Sequence, residues 1–329
     1  MRCLGAAGCL LLVVLAACGG ADPGRQAPSS VSPPPSSPAP EPSSVAMAQR
    51  QRAKIAVSGN PDWLAADDTS LYVKTDSGTV AVVDPASNRV VRSFPTGAAG
   101  GLCQGLGVAF GSVWTCSPDP SGAGDEVLRL DPRSGKVLAR LPVAKRPDQG
   151  HLEAAAGRLW VITDAGLVSI DPATNQPDPP LDLGVAGTDL AVGEEMVWVS
   201  SVGDGAVVRV DPAARAVVAR AAGLDSPREL TVGDHVWVLT RAGLVALERD
   251  GLEHAGTVPT GPQSCGLATT PEAVWVSDTE PFLQQVDPAT RTVLAEVTTD
   301  TGSCGDVRVA HGSIWATAAD DDVLYRLDP

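Results

Sequence analysis

Most of this chain is one motif written seven times. Each copy opens with an apolar residue and an aromatic, the aromatics being Tyr72, Trp114, Trp160, Trp198, Trp237, Trp275 and Trp315, at spacings of 42, 46, 38, 39, 38 and 40 residues. A polar loop follows, then an apolar run ending in Asp-Pro, then a third apolar run. Residues 272–300, EAVWVSDTEPFLQQVDPATRTVLAEVTTD, show the pattern in full. Four short strands in a period near forty cannot bury both faces of their own sheet, so each copy must stack on its neighbours. The chain is therefore predicted to be all-β: a seven-bladed β-propeller with four-stranded antiparallel blades.

Composition agrees with that architecture. The 34 Gly and 28 Pro, against 3 Phe and 2 Tyr, supply turns and leave Val, Leu, Ala and Trp to pack the interior. A length of 329 residues usually suggests two domains, but the repeats make residues 50–329 a single ring. The formal charge of −15 argues against nucleic acid, which needs clustered Lys and Arg to displace counterions, and favours a cationic or basic partner. A monomer is expected.

Blade 2 illustrates the predicted anatomy: an inner strand at 106–110, a second at 113–116, a third at 127–130, the turn Asp131-Pro132, and an outer strand from Lys136 to Val143. Asp-Pro suits a type I turn, with Asp accepting from backbone donors and Pro presetting φ. It recurs at Asp84, Asp131, Asp171, Asp211, Asp287 and Asp328, and Arg249-Asp250-Gly251 replaces it in blade 5. The seventh copy reaches Asp328-Pro329 without an outer strand, while residues 53–59, AKIAVSG, resemble one. Residues 52–59 are therefore expected to complete blade 7 and close the ring, removing two exposed sheet edges.

The N-terminal region reads differently. Residues 10–15 form an apolar run too short to span a bilayer as a mature helix, which fits a secretory signal over residues 1–17. The run ends in Leu15-Ala16-Ala17-Cys18, which resembles a bacterial lipobox and implies lipidation of Cys18 and a lipid anchor in the membrane. Residues 18–49, rich in Pro and Ser, are expected to be a disordered tether. The expected location is extracytoplasmic.

With Cys3 and Cys9 in the signal and Cys18 acylated, four cysteines remain, and four allow three pairings. Cys103 and Cys116 fall on adjacent strands of blade 2; Cys265 and Cys304 occupy nearly the same place in blades 6 and 7. Cys103–Cys116 and Cys265–Cys304 are the short-range disulfides, with free thiols as the alternative.

Ligands of propellers commonly sit at the channel mouth, where the inner strands begin. The residue before each inner strand is Trp63, Gly105, His151, Asp189, Glu229, Gly266 and Asp306. Loops after the second strands add Asp76, Asp119, Asp164, Asp204, Asp278, Glu280 and Asp320–Asp322. The polar set Trp63, His151, Asp189, Glu229 and Asp306 points to an acidic mouth that raises the local concentration of a cationic ligand, a divalent cation or a basic protein segment. The loop carboxylates equally suit turn formation, and Asp189 or Glu229 equally suits accepting backbone bonds between blades.

With VWVS, VVRVDP and DPATRTV as its strands and turns, the region from about residue 50 onward resembles the YVTN or YncE-like propeller group, which implies the fold and leaves activity open. Streptogramin-lyase-like propellers resemble it in blade count but use a Glu-x-His. Here Gln149, Gly233, Leu252 and Val309 stand two residues before the four His. Calcium-dependent lactonase-like propellers use Asn ligands, and only Asn60, Asn88 and Asn175 are present. The expected function is a ligand- or protein-binding module. The alternatives are a metal-dependent lyase or hydrolase near His151, Asp189, Glu229 and Asp306, and a structural adaptor in the cell envelope.

Overall fold

In each repeat the second strand is the most apolar, because it lies in the middle of a small sheet that is covered on both faces by other sheets. In the computed structural model, which describes residues 41–96, 105–147, 150–261, 263–300 and 302–329, those strands are buried almost throughout, and end to end at Leu71–Thr75 and Val236–Thr240. Outer strands meet solvent and carry polar residues accordingly; Arg89–Pro95 is largely exposed. The signal region, Cys18, the start of the tether and Cys103 lie outside the described residues.

Seven antiparallel sheets form the ring. Blade 1 contains Pro61–Ala66, Leu71–Thr75, Thr79–Asp84 and Arg89–Pro95, paired in sequence order from the inside outward. Blades 2 to 6 repeat this order. Blade 7 takes Val307–Ala310, Ser313–Ala318 and Val323–Leu327 from the end of the chain, and its fourth strand is Gln51–Ala56, antiparallel to Val323–Leu327. The N-terminal strand thus closes the ring.

One expectation is corrected. The disordered run was predicted to extend to residue 49, but Ser43–Ala46 is a strand, parallel to Thr292–Thr298 on the outer edge of blade 6, and Met47–Arg50 forms a helical turn. Blade 6 therefore has five strands. The cause is apolar: Met47 is 6% exposed and packs with Phe282 of blade 6 and Tyr325 of blade 7. Arg50 lies 5.4 Å from the centre of the Trp275 ring and donates to Gln285 Oε1 at 2.9 Å.

The core lies between blades rather than within them. Seven apolar clusters among the described residues each join two neighbouring blades, such as Trp237 and Leu239 with Val274 and Val276. All seven repeat aromatics are at most 2% exposed. Removing any one of the six Trp rings would cost about 3–5 kcal/mol.

The Asp-Pro turns have a uniform construction. Asp84, Asp171, Asp211 and Asp287 each accept from the backbone N–H two residues on, through Oδ1. The N–H of the fourth residue on returns to the Asp carbonyl, as from Asn88 to Asp84 and Asn175 to Asp171, and those Asn residues have φ of 55° and 57°. Such left-handed positions favour Asn. Hydrogen bonding holds Asp84, Asp131 and Asp287 below their ordinary carboxylate range, led by Ser87, Ser134 and Thr290 respectively.

Candidate functional site at the channel mouth

The side chains that line the channel come from alternate positions of the inner strands, because an extended chain turns every second residue to the same side. His151 and Glu153 form one such pair in blade 3, and Asp306 and Arg308 another in blade 7. Arg308 pairs with Glu153 at 3.6 Å across the ring and donates to the Leu64 carbonyl at 3.0 Å. Burial opposes the charge of Arg308, but Glu153 and Asp306 outweigh it and push its pKa up.

The five residues selected from sequence separate into two groups. Asp189 and His151 form a structural pair. Asp189 is 1% exposed, and its Oδ1 accepts from both the backbone N–H and Nδ1 of His151 at 3.0 Å, while Oδ2 accepts from the Leu230 N–H at 3.4 Å. One carboxylate thereby links blades 3, 4 and 5. Burial works against a charged imidazole, yet Asp189, with Asp306 further off, raises His151 to about 9. Trp63 contacts His151 edge to face with ring centres 4.7 Å apart. Those two residues belong to blades 1 and 3; between them blade 2 offers only Gly105, where a Cβ would stand 2.6 Å from the Gly150 carbonyl and φ is +132°.

Trp63, Glu229 and Asp306 form the second group, and they line one cavity of ≈ 430 Å³ together with Asp62, Arg228 and Asp320. Asp306 also accepts from the Leu64 N–H at 2.8 Å, a blade 7 to blade 1 link like that made by Asp189. Burial raises Glu229 well above the usual carboxylate range, and Asp189 and Asp306 add to it. Burial also raises Asp62 to about 7, with Asp306 and Asp76 adding repulsion. Asp62, Asp189, Glu229 and Asp306 thus gather at the mouth with the cations His151 and Arg228 and with Arg308, which Glu153 already pairs. Burial, with mutual repulsion at Asp62 and Glu229, disfavours the ionised form of Asp62, Glu229 and Asp306.

The disulfide Cys265–Cys304 joins blades 6 and 7 with a Cα separation of 6.1 Å, and both cysteines line the same cavity. Cys116 is also disulfide-bonded; its expected partner, Cys103, lies outside the described residues. Among the loop carboxylates, Asp204 accepts from Ala186 and Ser201, Asp278 from Ser264 and Thr279, and Asp322 from Gly59 and Asn60. These are loop formers. Among the described residues, no group of three or more His, Cys, Asp or Glu could hold a metal ion.

Asp62, Arg228, Glu153, Arg308, Lys74 and Arg146 were not anticipated. Glu153 and Arg308 were accessible by extending the period-two pattern one step along the inner strand. Asp62 was hidden by a register shift between Pro61 and Trp63, which gives this strand an extra residue at the mouth. Lys74 replaces a hydroxyl: Ser277 and Thr317, two residues after their own aromatics, donate to the carbonyls of Gly305 and Asp62 in the following blade, and Lys74 approaches the Gly105 carbonyl at 3.5 Å. Burial, and then Arg146, lower Lys74 to about 7.

No family model and no curated protein matches the chain in sequence. Among solved structures the chain is similar to BamB from Moraxella catarrhalis, with a TM-score of 0.60 and 15% identity over 83% of this chain and 85% of that one. At that identity the likeness concerns the fold alone, and the fold is an all-β seven-bladed propeller.

Proposed function

We infer that this protein is a binding module that captures a positively charged organic group at its channel mouth, and that it works outside the cytoplasm on a lipid anchor at Cys18. The observation that carries the reading is the convergence of Asp62, Glu229 and Asp306 with Trp63 on one cavity of ≈ 430 Å³. An organic cation satisfies that site in two ways. It favours the ionised form of carboxyls whose charge burial otherwise disfavours, and it meets the aromatic ring. A bare metal ion finds no ligand cluster among the described residues. The same site also accepts a Lys or Arg side chain of an envelope protein, and the repeat sequences support placement with the YVTN or YncE-like group. The run at residues 10–18 and the Pro- and Ser-rich stretch after it support secretion, lipidation and tethering.

Calorimetric titration with n-butylamine, with n-butanol as the uncharged control, tests the site. The amine alone should bind, and Asp62→Asn and Glu229→Gln should each weaken it about tenfold, which is about 1.4 kcal/mol. Equal behaviour of amine and alcohol, or no effect of either substitution, would overturn the reading. Cys18→Ser in cells given a labelled fatty acid tests the anchor: label retained on the variant would exclude Cys18 as the acylated residue.

A further inference from the structure

The acidic cavity shares a wall with a second one of ≈ 340 Å³, and Arg228 lines both. The second cavity has the opposite character: Arg228 and Arg241 line it with Ser226, Thr240 and Thr260, and no carboxylate does. Arg241 is highly exposed and lies 3.5 Å from Asp225, which is also exposed. Arg228 differs. Its backbone is fixed, since its N–H donates to the Leu239 carbonyl at 2.8 Å and its carbonyl accepts from Ser200 Oγ. Its guanidinium has no ion-pair or hydrogen-bond partner among the described residues.

Arg228 and Glu229 are successive residues that both line the acidic cavity, and no ion pair joins them among the described residues. The Arg228 charge is left open in a partly buried setting where an uncompensated charge is costly, and burial disfavours the ionised form of Glu229 until a cation is beside it. A ligand carrying both signs completes both. A carboxylate matches the planar fork of a guanidinium in two parallel hydrogen bonds.

We propose that the mouth takes a dipolar ligand, an organic cation joined to a carboxylate, with the cation among Asp62, Glu229, Asp306 and Trp63 and the carboxylate on Arg228. This assignment rests on the cation-binding reading above and narrows it to amino-acid-like compounds. The rest of the ligand extends into the second cavity, whose hydroxyls and Arg241 suit a polar tail.

Calorimetry with 4-aminobutyrate, n-butylamine and butyrate as a matched set tests the assignment, with glycine and 6-aminohexanoate covering shorter and longer charge separations. At least one amino acid of the series should bind roughly tenfold or more tighter than the amine. Arg228→Ala should bring the affinity ratio of amino acid to n-butylamine down to about one, and Arg228→Lys should restore part of it. Glu229→Gln should weaken amine and amino acid alike. Where Arg228→Ala lowers the melting temperature, Arg228→Gln provides the same reading. Amine binding that depends on Glu229, with no gain from any carboxylate, overturns the dipolar assignment and leaves the cation site standing. Absence of binding by every amine and amino acid overturns both.

Discussion

Arg326 donates to Asn88 Oδ1 at 2.8 Å across 238 residues of sequence, joining the last blade of the ring to the first. The same guanidinium lies 4.9 Å from the centre of the Trp315 ring and donates to the Pro85 carbonyl. Arg129 repeats the arrangement, lying 5.0 Å from the Trp114 ring centre and donating to Pro172 and Asn175 of the next blade. In both cases a third-strand Arg opposes the repeat Trp in register and grips the following Asp-Pro turn. In blade 6 the opposing residue is Gln285, and Arg50 from the N-terminal segment lies over Trp275 instead.

Loss of such a clamp should destabilise the ring measurably. Arg326→Ala removes a cation–aromatic contact and four hydrogen bonds, to Pro85, Asn88, Ser313 and His311, for an expected loss of about 2 kcal/mol or more in urea denaturation. Arg326→Lys should rescue little, because an ammonium lacks the planar fork. Full stability in the Lys variant would count against the clamp.

Ring closure gives a larger effect. Deleting residues 50–59 removes Ile55 and Val57, which are 6% and 3% exposed, and uncovers the edge of Val323–Leu327. The expected loss is about 4 kcal/mol or more, seen as a sharply lower melting temperature. Deleting residues 41–46, which are mostly exposed, should cost only about 1 kcal/mol. Equal effects of the two deletions would refute the assigned order of importance.

Much of this was legible from spacing alone, because a repeat that must stack imposes the same burial on each copy. Trp114, Trp160, Trp198, Trp237, Trp275 and Trp315 reported the blades, and the missing outer strand of the seventh copy reported the closure. The mouth was only half legible. Asp189 and Asp306 stood at aligned positions, but alignment does not distinguish a carboxylate tied to a neighbouring blade from one facing a cavity. Asp62 escaped because a bulge breaks the register, and Arg50 because its partner, Trp275, is more than two hundred residues away.

The disulfide at the mouth should stabilise by restricting the unfolded chain. Cys265 and Cys304 are separated by 39 residues, for which the expected contribution is about 3–4 kcal/mol. Cys304→Ser should lower the urea midpoint accordingly, and thiol mapping by mass spectrometry should show Cys265 free in the variant. An unchanged midpoint in that variant would contradict this.

The carboxyl of Asp62 gives a pH signature. Its pKa rises on folding from 3.8 to about 7, because burial, then Asp306 and Asp76, disfavour its charge. A group raised on folding stabilises fully below its unfolded pKa, and that stability is lost as pH climbs through the folded value. His151 has the same sign over a higher window, reaching about 9, whereas Lys74, lowered to about 7, has the opposite sign. Comparison with Asp62→Asn isolates the carboxyl: the variant should gain stability relative to wild type between about pH 4 and pH 7 and hold that gain above. A difference that is flat with pH would exclude a raised Asp62.

The path of the chain before closure has a consequence for how the ring comes apart. A terminus that frays from its end must first peel Ser43–Ala46 from blade 6, then withdraw Met47 from its cluster with Phe282 and Tyr325, then lift Arg50 off Trp275, before Gln51–Ala56 can leave blade 7. The weakly held edge strand therefore acts as a sacrificial latch. Opening begins where little is at stake, and the strand that completes the circle is reached last.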